Sequence, residues 1–415
     1  MIRFLLLTFL LNSSFVHAQQ LLLRHKLDGT PLNVLGTLVV RFNDEQKGKG
    51  MVRLQSLPAP ADRRVLPQLA LLDASDSREF FDTLPRFMPL HELMKAGGEK
   101  LDTRDVLPQI SDAIDDGAGR LLALPLALSL PVLYLNREML KRAGAEPDQR
   151  PRTWLELQTI AGQLYDSGVQ CPLTSSDFSW VHLENLASQH NQPITLRSRT
   201  TEKLLVNNMV NIKHLALLAS WQKSHYFHYS GGGREGDARF LSGECAMLTG
   251  DSSLYAEALA RQLDVAILAL PYYDDVYGAK QAEILPDGAS LWALAGMKKD
   301  ELRLAAKFMR FLLQPSVQRE WVRSTTYLPM SAGAIIALRE AQVFPAVLLD
   351  AAQRRLAIPT KNSTRPRSGA AREKLRAILG EEVEPMWNSD RPAKEALDRT
   401  VLRANALGAP LIKPR

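Results

Sequence analysis

Residues 127–144 read ALSLPVLYLNREMLKRAG, and Pro131, set inside an apolar run, limits what this stretch can build. Proline has no amide hydrogen for a ladder, so within sheets it is confined to first residues, edges and bulges. It also drives Leu130 into extended geometry. The run therefore divides into two strands, one over 123–126 and one over 132–135. Asn136 then supplies the N-cap of a helix over 137–143, and Gly144 ends it. Ser129 is expected on the connector between the strands, outside either ladder.

Further strands are expected at 20–25, 66–72, 265–270 and 291–295, with helices between them. Thr30 is read as the N-cap of a helix with Pro31 in its first turn, and Leu32, Leu35, Leu38, Val39 and Phe42 form its apolar face. Thr153-Trp154-Leu155-Glu156 is a capping box, in which Thr153 and Glu156 satisfy each other's free backbone donors. Asp300 is expected to cap a long helix that runs to Leu313 and is halted by Pro315. Strands alternating with helices define an α/β chain.

Arg3 precedes the apolar run 4–11, and Val16-His17-Ala18 offers a small residue at a cut, the order of a secretory leader; residues 1–18 are read as a signal peptide. No cysteine follows that run, so a protein free in the periplasm is expected. No other segment approaches the length of a membrane span. The chain has 415 residues, enough for two compact lobes, and a formal net charge of +6 spread along its length, which leaves no nucleic-acid footprint. Cys171 and Cys245 would lie in an oxidising compartment, which favours a disulfide over two free thiols. Neither a nucleophile elbow nor a zincin His-Glu-x-x-His occurs, and Gly231-Gly232-Gly233 lacks the Lys-Ser/Thr of a nucleotide loop. That triplet reads as a flexible connector, and His225 and His228, with no third ligand, as a solvated loop. Asn362-Ser363-Thr364 matches a glycosylation acceptor but is too short a pattern to carry weight.

The block LPLALSLPVLYLNREMLKRAGAEPDQRPRTWLELQTIAGQL, starting at Leu124, resembles the solute-binding proteins of ABC importers, the family that takes up sugars and glycerol phosphates. So do CPLTSSDFSWVHLENL from Cys171, FLSGECAML from Phe240, DGASLWALAG from Asp287, TTYLPMSAGA from Thr325 and RAILGEEVEPMW from Arg376. More narrowly, several of these blocks look like the glycerol-phosphate-binding branch. The resemblance implies a two-lobed periplasmic binding protein fold with a ligand cleft between lobes joined by crossover hinge strands. Residues 19–128 and 288–328 would form the N-terminal lobe, and 129–287 and 329–415 the C-terminal lobe. Crossovers are expected near Ser129, Gly288 and Tyr327–Ser331.

Carried over residue by residue, the resemblance makes Ser129, Ser252, Gly288 and Tyr327 ligand contacts and Arg376 the guanidinium that binds an anionic group. From the residues alone, Ser129 is a turn-capping hydroxyl, Gly288 a turn glycine, Tyr327 a half-buried aromatic and Arg376 a solvated helix position. Hydroxyls, one backbone amide and one guanidinium suit a tetrahedral anion. The polyol side departs from the family: its ligand-binding glutamate aligns with Ala74, its tyrosine falls in a shortened 56–65 segment without aromatics, and of two cleft tryptophans only Trp180 remains, with Asp177 in place of the other. The reading is a monomeric receptor without cofactor or catalysis. It would deliver a small phosphorylated polyol or glycerophosphodiester to membrane permease subunits. An unphosphorylated sugar, stacked on Trp180, and a ligand-sensing partner of a membrane receptor are the alternatives.

Overall fold

The computed structural model describes residues 19–57, 67–73, 87–101, 121–197, 202–276, 284–342, 344–356 and 369–406. The leader at 1–18, Ala74, most of the shortened segment and the 362–364 acceptor lie outside them. Two sheets organise the chain. In the first, β1 (Gln19–His25) runs parallel to β2 (Gly50–Ser56) and β3 (Leu69–Leu72), and β13 (Asp287–Leu294) lies antiparallel to β3, β4 (Phe87–Met88) and β5 (Leu124–Ser129). The second has the order β10-β7-β11-β6-β12, built from β6 (Pro131–Asn136), β7 (Cys171–Ser175), β10 (Phe227–His228), β11 (Cys245–Asp251) and β12 (Val265–Ala269). A small hairpin, β8 (Thr195–Arg197) with β9 (Glu202–Leu204), stands apart.

The chain passes from the first sheet to the second at one residue, Leu130. Ser129 is the last residue of β5 and pairs with Asp287, so it belongs to a ladder and the connector is shorter than expected. The physical reason is that Pro131 denies a hydrogen bond only at its own position; the fully buried segment 124–129 pairs as far as β13 reaches. Pro131 itself opens β6, opposite Asp251. Gly288 likewise lies in a strand and not a turn. Its φ is +130°, and an added Cβ would stand 2.1 Å from the Ala127 carbonyl oxygen, so only glycine fits this bulged pairing.

Against the first sheet pack the helices Gly29–Glu45, Lys299–Leu312 and Pro315–Thr325, with Phe42 set edge-on to Phe308 at 5.0 Å. The first of these starts two residues earlier than expected, with Asp28 in extended geometry as N-cap and Thr30 inside the first turn. Lys298 is the N-cap of the second, because Glu301 reaches back to accept from the Lys298 amide at 2.6 Å; Asp300 sits in the first turn, where a negative charge meets the positive end of the helix dipole. Pro315 ends that helix and opens the next. The capping box at Thr153 and Glu156 forms, and so does the Asn136 cap on the Met139 amide.

The second sheet is covered by Trp154–Asp166, Met209–Lys223, Gly369–Trp387 and Ala393–Ala406, whose apolar faces share one core through Leu157, Leu215, Trp221, Leu379 and Leu397. Buried Glu382 accepts from Arg391, Arg399 and Arg403 and ties the last two helices together. Cys171 and Cys245, paired residues of neighbouring parallel strands, form a disulfide. His228 pairs in β10 and is half-buried, not part of a solvated loop. No helix among the described residues is long and apolar enough to cross a membrane.

Candidate ligand site

Three segments meet where the sheets exchange strands. Ser252, after β11, accepts from the Leu130 amide at 3.0 Å and donates its own amide to the Leu130 carbonyl at 2.8 Å, clamping the crossover. Ser129 Oγ donates to Asp251 Oδ2 at 2.8 Å, and Asp251 Oδ1 accepts from the Ser253 amide. The 326–331 stretch closes the third side: the Leu328 amide donates to the Leu128 carbonyl, and Thr326 Oγ1 donates to the carbonyls of Ser252 and Ser253. Tyr327 stacks on Trp321 and hydrogen-bonds Ser253, and burial raises its pKa, so it stays a neutral phenol.

Arg376, on the helix Gly369–Trp387, turns into this junction instead of out to solvent. Its side chain is 30% exposed, Nε donates to Glu184 at 2.7 Å and Nη2 donates to Asp287 at 2.6 Å. Glu184 is fully buried and Asp287 is 14% exposed. Burial disfavours the guanidinium charge, but the two carboxylates outweigh it and the pKa is raised. Asp287 opens β13 of the first sheet, whereas Arg376 lies on a helix that covers the second, so this ion pair links the two.

Glu184 is positioned by a π-helix, Trp180–Asn185, a geometry that recurs at functional sites. His182, on the same π-helix, ties it to the second sheet. Nε2 lies 2.9 Å from Ser175 Oγ and 3.0 Å from Thr249 Oγ1, and Nδ1 lies 2.9 Å from His214, which reaches Tyr273. Burial pushes the His182 pKa down to about 3, so this buried chain is neutral. Trp180 is 2% exposed and donates its indole N–H to the Leu285 carbonyl at 2.9 Å, which leaves it packed with Val181 and Leu270 instead of open to a ring above it.

The glycine triplet is structural here. Gly233 and Gly232 accept from the amides of Asp177 and Phe178, and Asp177 takes the left-handed conformation, φ +49°, that aspartate tolerates better than most residues. Beyond the triplet, Arg234 Nε donates to Asp237 at 2.7 Å. Asp177, Asp237 and Asp251 thus face Arg234, with Arg376 nearby. Burial, then Asp251, raises the Asp177 pKa to about 7, partly offset by Arg234.

The match to known proteins follows this geometry. Residues 65–341 fit the family described as bacterial extracellular solute-binding protein. The chain belongs to this family. It is 32% identical over 328 residues to the sn-glycerol-3-phosphate-binding periplasmic protein of Salmonella typhimurium, covering 77% of this chain and 74% of that one, and 32% identical over 329 residues to its counterpart in Escherichia coli K12, with the same coverage. Among solved structures, UgpB from Mycobacterium tuberculosis in complex with glycerophosphocholine superposes with TM-score 0.71 at 18% identity, covering 94% of this chain and 98% of that one. The cyclic alpha-maltosyl-1,6-maltose binding protein from Arthrobacter globiformis gives 0.73 at 18% identity, covering 94% and 99%. The two sheets are accordingly the cores of the two lobes of a solute-binding protein.

Of the six candidate contacts in this solute-binding protein, Ser129, Ser252, Gly288, Tyr327 and Arg376 converge on the lobe junction, while Trp180 lies in the wall beside Arg376. Sequence reading passed over Glu184, Asp251, Asp287 and Arg234. Glu184 alone carried a signal, as a lone acid within the apolar run WVHLENLA. No group of His, Cys, Asp and Glu suited to a metal occurs among the described residues.

Asp177 makes stability pH-dependent. Burial raises its folded pKa to about 7, well above the ordinary carboxylate range, so the fold is favoured with the proton on and is expected to lose stability as pH rises from about 4 through 7. Asp177→Asn is expected to melt higher than wild type at pH 8 and level with it at pH 4. Melting curves that stay parallel across that range would remove Asp177 as the titrating group.

Proposed function

We propose that this chain is the solute receptor of an ABC importer. Its leader would export it to the periplasm, where it would carry sn-glycerol 3-phosphate or a related glycerophosphodiester to membrane permease subunits. The observation that carries the reading is Arg376 at the junction, beside Ser129 and Gly288, in the company the glycerol-phosphate-binding relatives led us to expect. An incoming phosphate would take the place of Asp287 on the guanidinium, exchanging one anion for another, while nearby hydroxyls donate to its remaining oxygens. Leu130 and the 326–331 stretch supply the element-terminal residues about which two bodies, 19–128 with 288–328 and 129–287 with 329–415, would close over the solute.

One observation favours a second reading, an unphosphorylated sugar or polyol. Arg376 already holds two carboxylates, and carboxylates outnumber guanidiniums around the cleft. A thermal-shift series with glycerol 3-phosphate, glycerophosphodiesters and maltose separates the two. A ligand at a hundred times its Kd stabilises the native state by about 2.7 kcal/mol, enough to be read directly. Phosphate-bearing ligands are expected to raise the melting temperature and maltose to leave it unchanged; the opposite pattern would establish the sugar reading in place of the first.

A further inference from the structure

The helix Pro315–Thr325 has two faces. Val317, Trp321 and Val322 pack into the core of the first sheet, while Ser316, Arg319, Glu320, Arg323 and Ser324 recur every three or four residues on the opposite side. With Arg41 of the neighbouring helix Gly29–Glu45, that outer side lines an open groove of about 690 Å³, and none of the six candidate ligand contacts takes part in it. Arg41 is held in place: Nη1 donates to Glu320 at 2.7 Å, and its guanidinium lies 5.3 Å from the centre of the Phe311 ring. Glu320 is the one carboxylate in the described wall, so three guanidiniums face a single acid. Arg319 and Arg323 are exposed, and neither makes an ion pair with a described residue. Local chemistry does not ask for this arrangement, because like charges four residues apart on a helix repel and weaken it. Arg323, in the last turn, gains from the negative end of the helix dipole, but Arg319 lies mid-helix and does not. A pair that costs the helix stability and has no partner within the fold points to a partner outside it.

We infer that this groove docks an extended acidic peptide segment of a partner protein, with carboxylates at alternate residues. Alternate side chains of an extended chain share one face about 6.6 Å apart, and residues four apart on a helix stand about 6 Å apart along its axis, so an acid-x-acid sequence sets one carboxylate on Arg319 and the next on Arg323. Each guanidinium presents a planar fork of donors that a carboxylate fits with two oxygens. Arg41 neutralises Glu320, which would otherwise repel the incoming acids. Ser316 and Ser324 offer hydroxyls to the peptide backbone at the two ends of the groove. One small anion would leave the space largely unfilled, since even a water's share of liquid volume is only about 30 Å³. A membrane surface calls for an apolar face to bury, whereas Ala341 is the one apolar residue in the described wall.

Fluorescence anisotropy with a labelled peptide of alternating glutamate and threonine tests the inference, beside the matching glutamine and threonine peptide and co-sedimentation with phosphatidylglycerol vesicles. Wild type is expected to bind the glutamate peptide, less tightly as salt is added, and to bind neither of the other probes. Arg319→Gln with Arg323→Gln is expected to weaken that binding at least about tenfold. The same variant should melt no lower than wild type, because it removes a repulsion. Arg142→Gln with Arg261→Gln takes an equal charge from exposed positions on two other helices and is expected to leave peptide affinity within about twofold of wild type. No binding of the glutamate peptide by wild type, equal binding of the glutamine peptide, or an equal loss in the two double variants would overturn the assignment. Vesicles bound in place of the peptide would overturn it too and make the surface a membrane contact.

Discussion

Arg376→Ala is expected to weaken binding of every phosphate-bearing solute by about tenfold to a hundredfold, the worth of a charge-assisted hydrogen bond of roughly 1.5–3 kcal/mol. It should also destabilise the protein without ligand. Glu184 is fully buried and depends on Arg376 as its cation, and stripping one partner from a buried pair costs about 3–5 kcal/mol. The partial exposure of Arg376 argues for the lower end of that range. Arg376→Lys should recover most of the stability but only part of the affinity, because a point charge can neutralise Glu184 yet cannot reproduce a two-pronged donor. Urea titration and calorimetry on the same preparations separate the two effects. Unaltered affinity for glycerophosphodiesters in Arg376→Ala would show that the anion is held elsewhere.

Removing the Cys171–Cys245 bridge should be the largest purely structural change. The cysteines are 74 residues apart, and closing a loop of that length restricts the unfolded chain by about 4 kcal/mol. Cys171→Ala with Cys245→Ala is therefore expected to lower the urea midpoint strongly, and a reductant should lower that of wild type and leave the double variant unaffected. The bridge also joins β7 to β11, the strands that lead into Asp177 and Asp251, so its loss should weaken ligand binding more than a remote destabilisation would. Equal midpoints for oxidised wild type and the double variant would show that the bridge contributes nothing to stability.

Local rules carried far in this chain because short-range chemistry fixes helix starts. Asn136 and the Thr153–Glu156 box act within four residues of themselves, and both were legible. Where two acids compete for one cap, the rules were less sharp: Asp300 and Glu301 both suit a helix start, and the reach of Glu301 back to the Lys298 amide decided between them. Strand ends were legible only roughly, because a strand stops where its partner stops. Ser129 and Gly288 joined ladders that neither residue's own neighbours announce, through a pairing 158 residues distant in sequence.

The sequence by itself determined an α/β chain broken at Pro131, its helix caps, a disulfide favoured by compartment, and through whole blocks of resemblance the solute-binding family. Those are properties of near neighbours along the chain or of patterns long enough to be specific. Which charges meet was decided only by the tertiary structure. Arg376 read as a solvated helix position, yet the fold sets it between Glu184 on a π-helix and Asp287 on a strand of the first sheet. Asp177, read as a lost tryptophan, became a buried carboxylate close to two others, Asp237 and Asp251. Electrostatic energy depends on distance and burial, and neither is written in the order of residues, so the chemistry of the site waited on the packing that brought these segments together.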